Sequence, residues 1–169
     1  SRRYQSYHWT YNDLYLRPES YNVTGGTVVF GNSGTEITGL ANTFSLDATV
    51  PLNNLTVDGT TNPKFVTLAV HGLTLLGSLV INATSVFNTD SLDVFIGGNF
   101  TNLNTDANTG VTTGGYRPGS LRQVTTFNGS SVNQTIQGAS GNLTNFANLV
   151  ITNTKTNGTV TLQTNSALR

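Results

Sequence analysis

The sequence predicts an all-β chain, a parallel β-solenoid (β-helix) built from coils of about 20 residues. Three observations point that way. Leu52-Asn53-Asn54-Leu55-Thr56-Val57, followed by Phe65-Val66-Thr67-Leu68, is echoed 94 residues later by Phe146-Ala147-Asn148-Leu149-Val150-Ile151 and Thr159-Val160-Thr161-Leu162. Within that long echo runs a finer one: Gly77 aligns with Gly98, Leu75 with Ile96 and Leu79 with Phe100, each 21 residues apart. Phe30-Gly31-Asn32 leading to Ile37-Thr38-Gly39 also resembles Phe127-Asn128-Gly129 leading to Ile136-Gln137-Gly138. Self-similarity at a fixed spacing is the mark of a repeat architecture, in which each unit contacts only its neighbours.

The strands follow from alternation. Val28/Phe30, Leu55/Val57, Val66/Leu68/Val70, Leu79/Ile81, Leu92/Val94/Ile96, Leu149/Ile151 and Val160/Leu162 each place apolar residues on one side of a short strand. Turn signals separate them, among them Asp58-Gly59-Thr60 and Thr156-Asn157-Gly158. No segment carries the apolar stripe of an amphipathic helix. One coil buries only a handful of side chains, each contributing about 1.5–3 kcal/mol, too little to offset its ordering entropy. The coils therefore have to stack. The alternative is an antiparallel β-sandwich, which shares short strands at close spacing but has no reason to repeat itself at coil length.

Residues 1–25 read as a separate aromatic capping or docking segment, and residues 26–169 as the solenoid. Five of the six tyrosines (Tyr4, Tyr7, Tyr11, Tyr15, Tyr21) and the single Trp9 fall in the first stretch, with Arg2, Arg3 and Arg17. Tyr7, Trp9, Tyr11 and Tyr15 are the candidate docking residues. They cover the open sheet edge of the first coil or offer rings for a sugar or a partner chain. At the other end, Leu73 in register with the first copy falls at position 167, so the pattern breaks off in mid-repeat, as in a fragment or a subunit completed by its neighbour. The absence of Met points to a processed chain or a fragment.

Composition narrows the function. Charged residues are 9% of the chain, eight basic against eight acidic, far below the usual ~25%. Such a surface lacks the clustered positive charge that attracts nucleic acid, and no apolar run reaches the length of a membrane-spanning helix. Without Cys there is no disulfide framework. Thr, Asn, Ser and Gly supply the polarity, which suits an extracellular β-protein with many tight turns.

The phrase Phe127-Asn128-Gly129, Gln134-Thr135-Ile136-Gln137-Gly138, Phe146-Ala147-Asn148-Leu149-Val150-Ile151 and Val160-Thr161-Leu162 resembles the β-strand repeats of very large, adhesin-like cell-surface proteins of Bacteroidetes. Many of those proteins are exported by type IX secretion. Leu92-Asp93-Val94-Phe95-Ile96-Gly97-Gly98-Asn99-Phe100 matches the second half of that repeat. The resemblance covers roughly residues 26–169. It implies a solenoid stalk or adhesive segment, extracellular or at the cell surface, with no catalytic residues to carry over and no cofactor. Its partners would be adjacent repeats, neighbouring copies or surface glycans.

Individual chemistry is sparse. Asp90 and Asp93 are the closest acids, too few for the clustered carboxylates of a carbohydrate-active β-helix, and read as solvated. His8 and His71 are isolated, and His71 is expected to be exposed in a turn. Asn102, Asn104, Asp106 and Asn108 alternate oxygens as a calcium loop would, but with one carboxylate they read better as an insertion after Phe100. Asn-x-Ser/Thr triplets at Asn22, Asn54, Asn82, Asn99, Asn128, Asn133, Asn142 and Asn157 follow from composition. Asp90-Ser91-Leu92 matches the O-glycosylation signal of Bacteroidetes, with Ser91 as acceptor.

Overall fold

The computed structural model describes residues 13–31, 42–60, 63–163 and 167–168. Along them run β1 (Asp13–Leu16), β2 (Thr27–Phe30), β3 (Thr43–Ala48), β4 (Asn54–Val57), β5 (Lys64–Leu68) and β6 (Leu73–Leu75). Next come β7 (Leu79–Ile81), β8 (Ser85–Asn88), β9 (Val94–Ile96), β10 (Phe100–Asn102), β11 (Tyr116–Arg117) and β12 (Val124–Phe127). The last are β13 (Gln134–Gly138), β14 (Leu143–Thr144), β15 (Asn148–Ile151), β16 (Val160–Leu162) and β17 (Ala167–Leu168).

These strands form a parallel β-solenoid of about five turns with three faces. Face A is ordered β1-β3-β5-β8-β11, face B β2-β4-β7-β10-β13-β16 and face C β6-β9-β12-β15, while β14 pairs with β17. From β4 to β13 the chain visits B, A and C in rotation, so each strand pairs in parallel with the one a full turn away. β1 pairs with β3, so the stack takes in residues from the aromatic N-terminal stretch.

Register follows the fine repeat. Leu75 lies opposite Ile96 and Leu79 opposite Phe100, the two alignments read from the sequence. Gly98 donates its N–H to the Gly77 carbonyl at 2.7 Å. The recurring glycine has a steric cause: a Cβ on Gly98 would lie 2.6 Å from the Gly77 carbonyl carbon, and one on Gly77 would lie 2.2 Å from Asn54 Oδ1. The coils approach too closely there for any side chain.

The 94-residue echo behaves differently. Leu55 and Val57 sit on face B, but their counterparts Leu149 and Ile151 sit on face C; Val66 and Leu68 on face A correspond to Val160 and Leu162 on face B. The offset preserves strand order while shifting every strand by one face. All three faces require the same inward alternation, so a string of residues that satisfies one satisfies the next.

Inward residues form one continuous core: Leu46, Leu55, Val66, Leu68, Leu75, Leu79 and Ile81 in the earlier coils are at most 1% exposed. The later coils substitute aromatic rings, with Phe100 and Phe146 5.1 Å apart and Tyr116 edge-on to Phe100 at 5.3 Å. Tyr116 shares a 2.7 Å hydrogen bond with Thr125 Oγ1, and burial pushes its phenol well above the ordinary tyrosine pKa.

Polar side chains also link the coils. Asn54 donates to the Gly26 carbonyl (3.1 Å) and its Oδ1 accepts the Ser78 N–H (2.8 Å); Ser78 Oγ accepts the Asn99 N–H (2.9 Å), and Asn99 Oδ1 accepts the Thr135 N–H (2.9 Å). This ladder runs beside the start of the face B strands and satisfies backbone donors the strand pairing leaves over.

Candidate functional site

Among the described residues, the densest group of ionisable side chains is centred on Asp47. By alternation Asp47 points out of β3, between inward Leu46 and Ala48, yet it is fully buried. Arg17, just after β1, covers it with Nε 2.6 Å from Oδ2 and with Nη2 also on Oδ2. From the corner after β5, His71 places Nδ1 2.7 Å from Oδ1. Three successive coils thus meet at one carboxylate. Burial alone raises the Asp47 pKa, but the hydrogen bonds from His71 and Arg17 and their nearby charges outweigh it and hold the carboxyl below its ordinary 3.8. An ionised Asp47 only accepts, so Nδ1 of His71 carries the proton and Nε2 is left for other use.

His71 also borders a cleft of about 500 Å³ between faces A and C, whose walls include Tyr21, Val50, Pro51, Thr74 and Leu76. Among the described residues, faces A and B start with β1 and β2, whereas face C starts with β6, preceded by a bridge between Leu52 and Leu75. The cleft opens where face C is shorter than its neighbours.

His71 is exposed in a turn, as the sequence suggests, with its side chain 43% exposed, but it is also tied to a buried acid. The partners come from Arg17 and Asp47, 54 and 24 residues away in sequence, with no local motif to announce them.

Of the aromatic docking candidates, Tyr15 lies in β1 opposite Asp47, partly buried, with the Arg17 guanidinium carbon 5.8 Å from its ring centre. Tyr7, Trp9, Tyr11 and His8 lie outside the described residues. Asp90 and Ser91 are exposed in a tight turn closed by the Leu92 N–H on the Thr89 carbonyl at 2.9 Å, with positive φ of 49° and 73°. Asp93 is exposed, and its Oδ1 accepts the Val124 N–H of the next coil at 2.9 Å. Among the triplet asparagines, Asn54, Asn82, Asn99 and Asn142 all have side chains bonded to neighbouring turns.

The Asn102–Asn108 stretch begins at the end of β10 and enters an insertion. Asn102 and Asn104 are 2% exposed rather than open to solvent. Asn102 Oδ1 accepts the Asn104 N–H (3.3 Å), Asn104 Oδ1 accepts the Asp106 N–H (2.7 Å), and Asn104 Nδ2 donates to the Ser85 carbonyl (2.8 Å) and to Asp106 (3.3 Å). The chain returns closely over them at Gly115, where a Cβ would lie 2.4 Å from Asn102 Oδ1. These oxygens serve the loop's own turns and do not fit calcium, which takes six to eight oxygen ligands. Asn108 is 7% exposed, and its amide N and O have no hydrogen-bond partner. Among the described residues no group of three or more His, Asp or Glu side chains is placed to hold a metal ion.

A second surface feature is the last coil. Leu149 is 36%, Val150 39%, Ile151 54% and Leu162 46% exposed, on the terminal strands of faces C and B. Comparison with known protein families, curated proteins and solved structures gave no match.

Proposed function

We propose that the chain is a non-enzymatic structural and adhesive segment of a large secreted or surface-anchored bacterial protein, of the adhesin-like kind its repeats resemble. The observation that carries this reading is the outer side of face B. Val29, Thr56, Val80, Thr101 and Gln137 lie in register on five successive strands, an uncharged ladder along the rod. A rigid array of weak polar and apolar contacts holds a partner surface by multivalency. Neighbouring repeats and surface glycans are its partners, and the cell surface or extracellular space its location. Beads coated with the chain should adhere to immobilised polysaccharide with a steep dependence on coating density, and Thr56→Lys with Thr101→Lys should weaken that adhesion. Absence of adhesion, or indifference to both substitutions, would contradict the reading.

The exposed apolar side chains of β15 and β16 favour a second reading, an extracellular filament subunit that polymerises end to end. A further coil laid on β15 would cover Leu149 and Ile151 as β7 covers Leu55 and Val57 in register. Negative-stain imaging and size-exclusion chromatography should then show fibres that lengthen with concentration; a stable monomer at high concentration sinks this reading.

A further inference from the structure

The cleft beside His71 is no part of the face B ladder, and a rod reading does not require it. Its volume of about 500 Å³ falls in the range of ~300–1,000 Å³ usual for small-ligand sites. Its walls combine apolar surface with a few placed polar groups, as such sites do. Tyr21 is 58% exposed and Leu76 49%. Pro51 and Val50 add apolar surface, while Thr74 brings a hydroxyl and His71 an imidazole nitrogen.

The electrostatics select the ligand. Arg17 is bound to Asp47 through two nitrogens, so the guanidinium and carboxylate charges cancel. With Nδ1–H directed at Asp47, Nε2 is the ring nitrogen left to meet a ligand. The buried carboxylate fixes the ring's orientation, much as a partner of this kind orients histidines elsewhere. A ligand rich in hydroxyls, uncharged and with one apolar face complements these groups; an anion gains nothing from a balanced pair.

The rim is unsuited to an added peptide strand. Pro51 has no N–H to offer. The Thr49 N–H is bonded to Leu16, the Leu52 N–H to Thr74, and the Leu52 and Asn53 carbonyls accept from Leu76 and Gly77. Side chains are left to make the recognition.

We propose that this cleft binds a neutral saccharide, with the Tyr21 ring against the apolar face of a sugar unit and His71 Nε2 hydrogen-bonded to one of its hydroxyls. The test is an NMR titration of the intact chain with cellohexaose, laminarihexaose and chitohexaose, beside a Gly-Ser hexapeptide. Signals of Tyr21, His71 and Thr74 should move with at least one oligosaccharide and not with the peptide. Tyr21→Ala should weaken that binding by up to about tenfold, the size of one aromatic contact, and His71→Phe should weaken it as well. Tyr21 is mostly exposed, so that variant keeps the fold, checked by unchanged signals from β7 and β10. No shift in the cleft with any of the three sugars would overturn the proposal. So would a response to the peptide instead, or wild-type affinity in both variants.

Discussion

Leu55 in β4 and Leu149 in β15 occupy the same place in two nearly identical strings of residues. The first is 0% exposed and the second 36%; Val57 and its counterpart Ile151 stand at 0% and 54%. Nothing in either strand accounts for the difference. β4 lies between β2 and β7, whereas β15 has β12 on one side and no strand on the other among the described residues. In a solenoid the worth of a side chain is set by its place in the stack, because each coil supplies half of its neighbour's core.

The largest expected contrast comes from truncating the matched leucines. Leu55→Ala should cost about 2–5 kcal/mol, as for other buried leucines, and Leu149→Ala less than about 1 kcal/mol, because much of its surface already meets water. Urea denaturation of the two variants measures both. Equal losses would mean that the last coil is covered in solution.

Asp47 gives the next effect, and it belongs to the early coils alone. Asp47→Ala removes charge-assisted hydrogen bonds from Arg17 and His71, for a loss of about 1.5–3 kcal/mol. The pH dependence follows from its lowered pKa. The unfolded carboxyl, near 3.9, binds a proton more readily than the folded one. The contribution is therefore complete above that value and disappears as pH falls through the lower folded pKa. Asp58, held low first by a hydrogen bond from Thr60 and then by one from Asn82, acts in the same direction. Wild type should lose stability below about pH 4, and Asp47→Ala should show a shallower loss over that window. Parallel acid profiles would show that the cluster contributes nothing.

A smaller effect is expected from the polar ladder. Asn99→Ala leaves the Thr135 N–H without its side-chain acceptor and should cost about 1 kcal/mol. Smallest of all, Ile151→Lys should change monomer stability by no more than about 0.5 kcal/mol while abolishing any concentration-dependent association, read by light scattering. Association that survives the added charge would place the contact elsewhere.

The solenoid was legible because inward alternation and close coil contact leave a trace in the sequence: Leu75, Gly77 and Leu79 recur as Ile96, Gly98 and Phe100 with the observed register. The face each strand occupies was not legible, since Leu55 and Leu149 satisfy faces B and C equally well. The Asp47 site was hidden for a related reason. Outward position on a strand normally means solvent, whereas here Arg17 and His71 arrive from adjacent coils to bond this buried acid. Asn102 and Asn104 are buried because the chain folds back over them at Gly115, turning an expected open loop into a buried ladder. The asparagines that supply much of the chain's polarity are partly engaged in joining coil to coil.

Hydrogen–deuterium exchange on the dilute monomer tests most directly whether position in the stack sets stability. Amides of β4 and β7 should exchange only with global unfolding, while those of β15 and β16 exchange much faster through opening of the last coil. Equal protection in the two matched regions would contradict it.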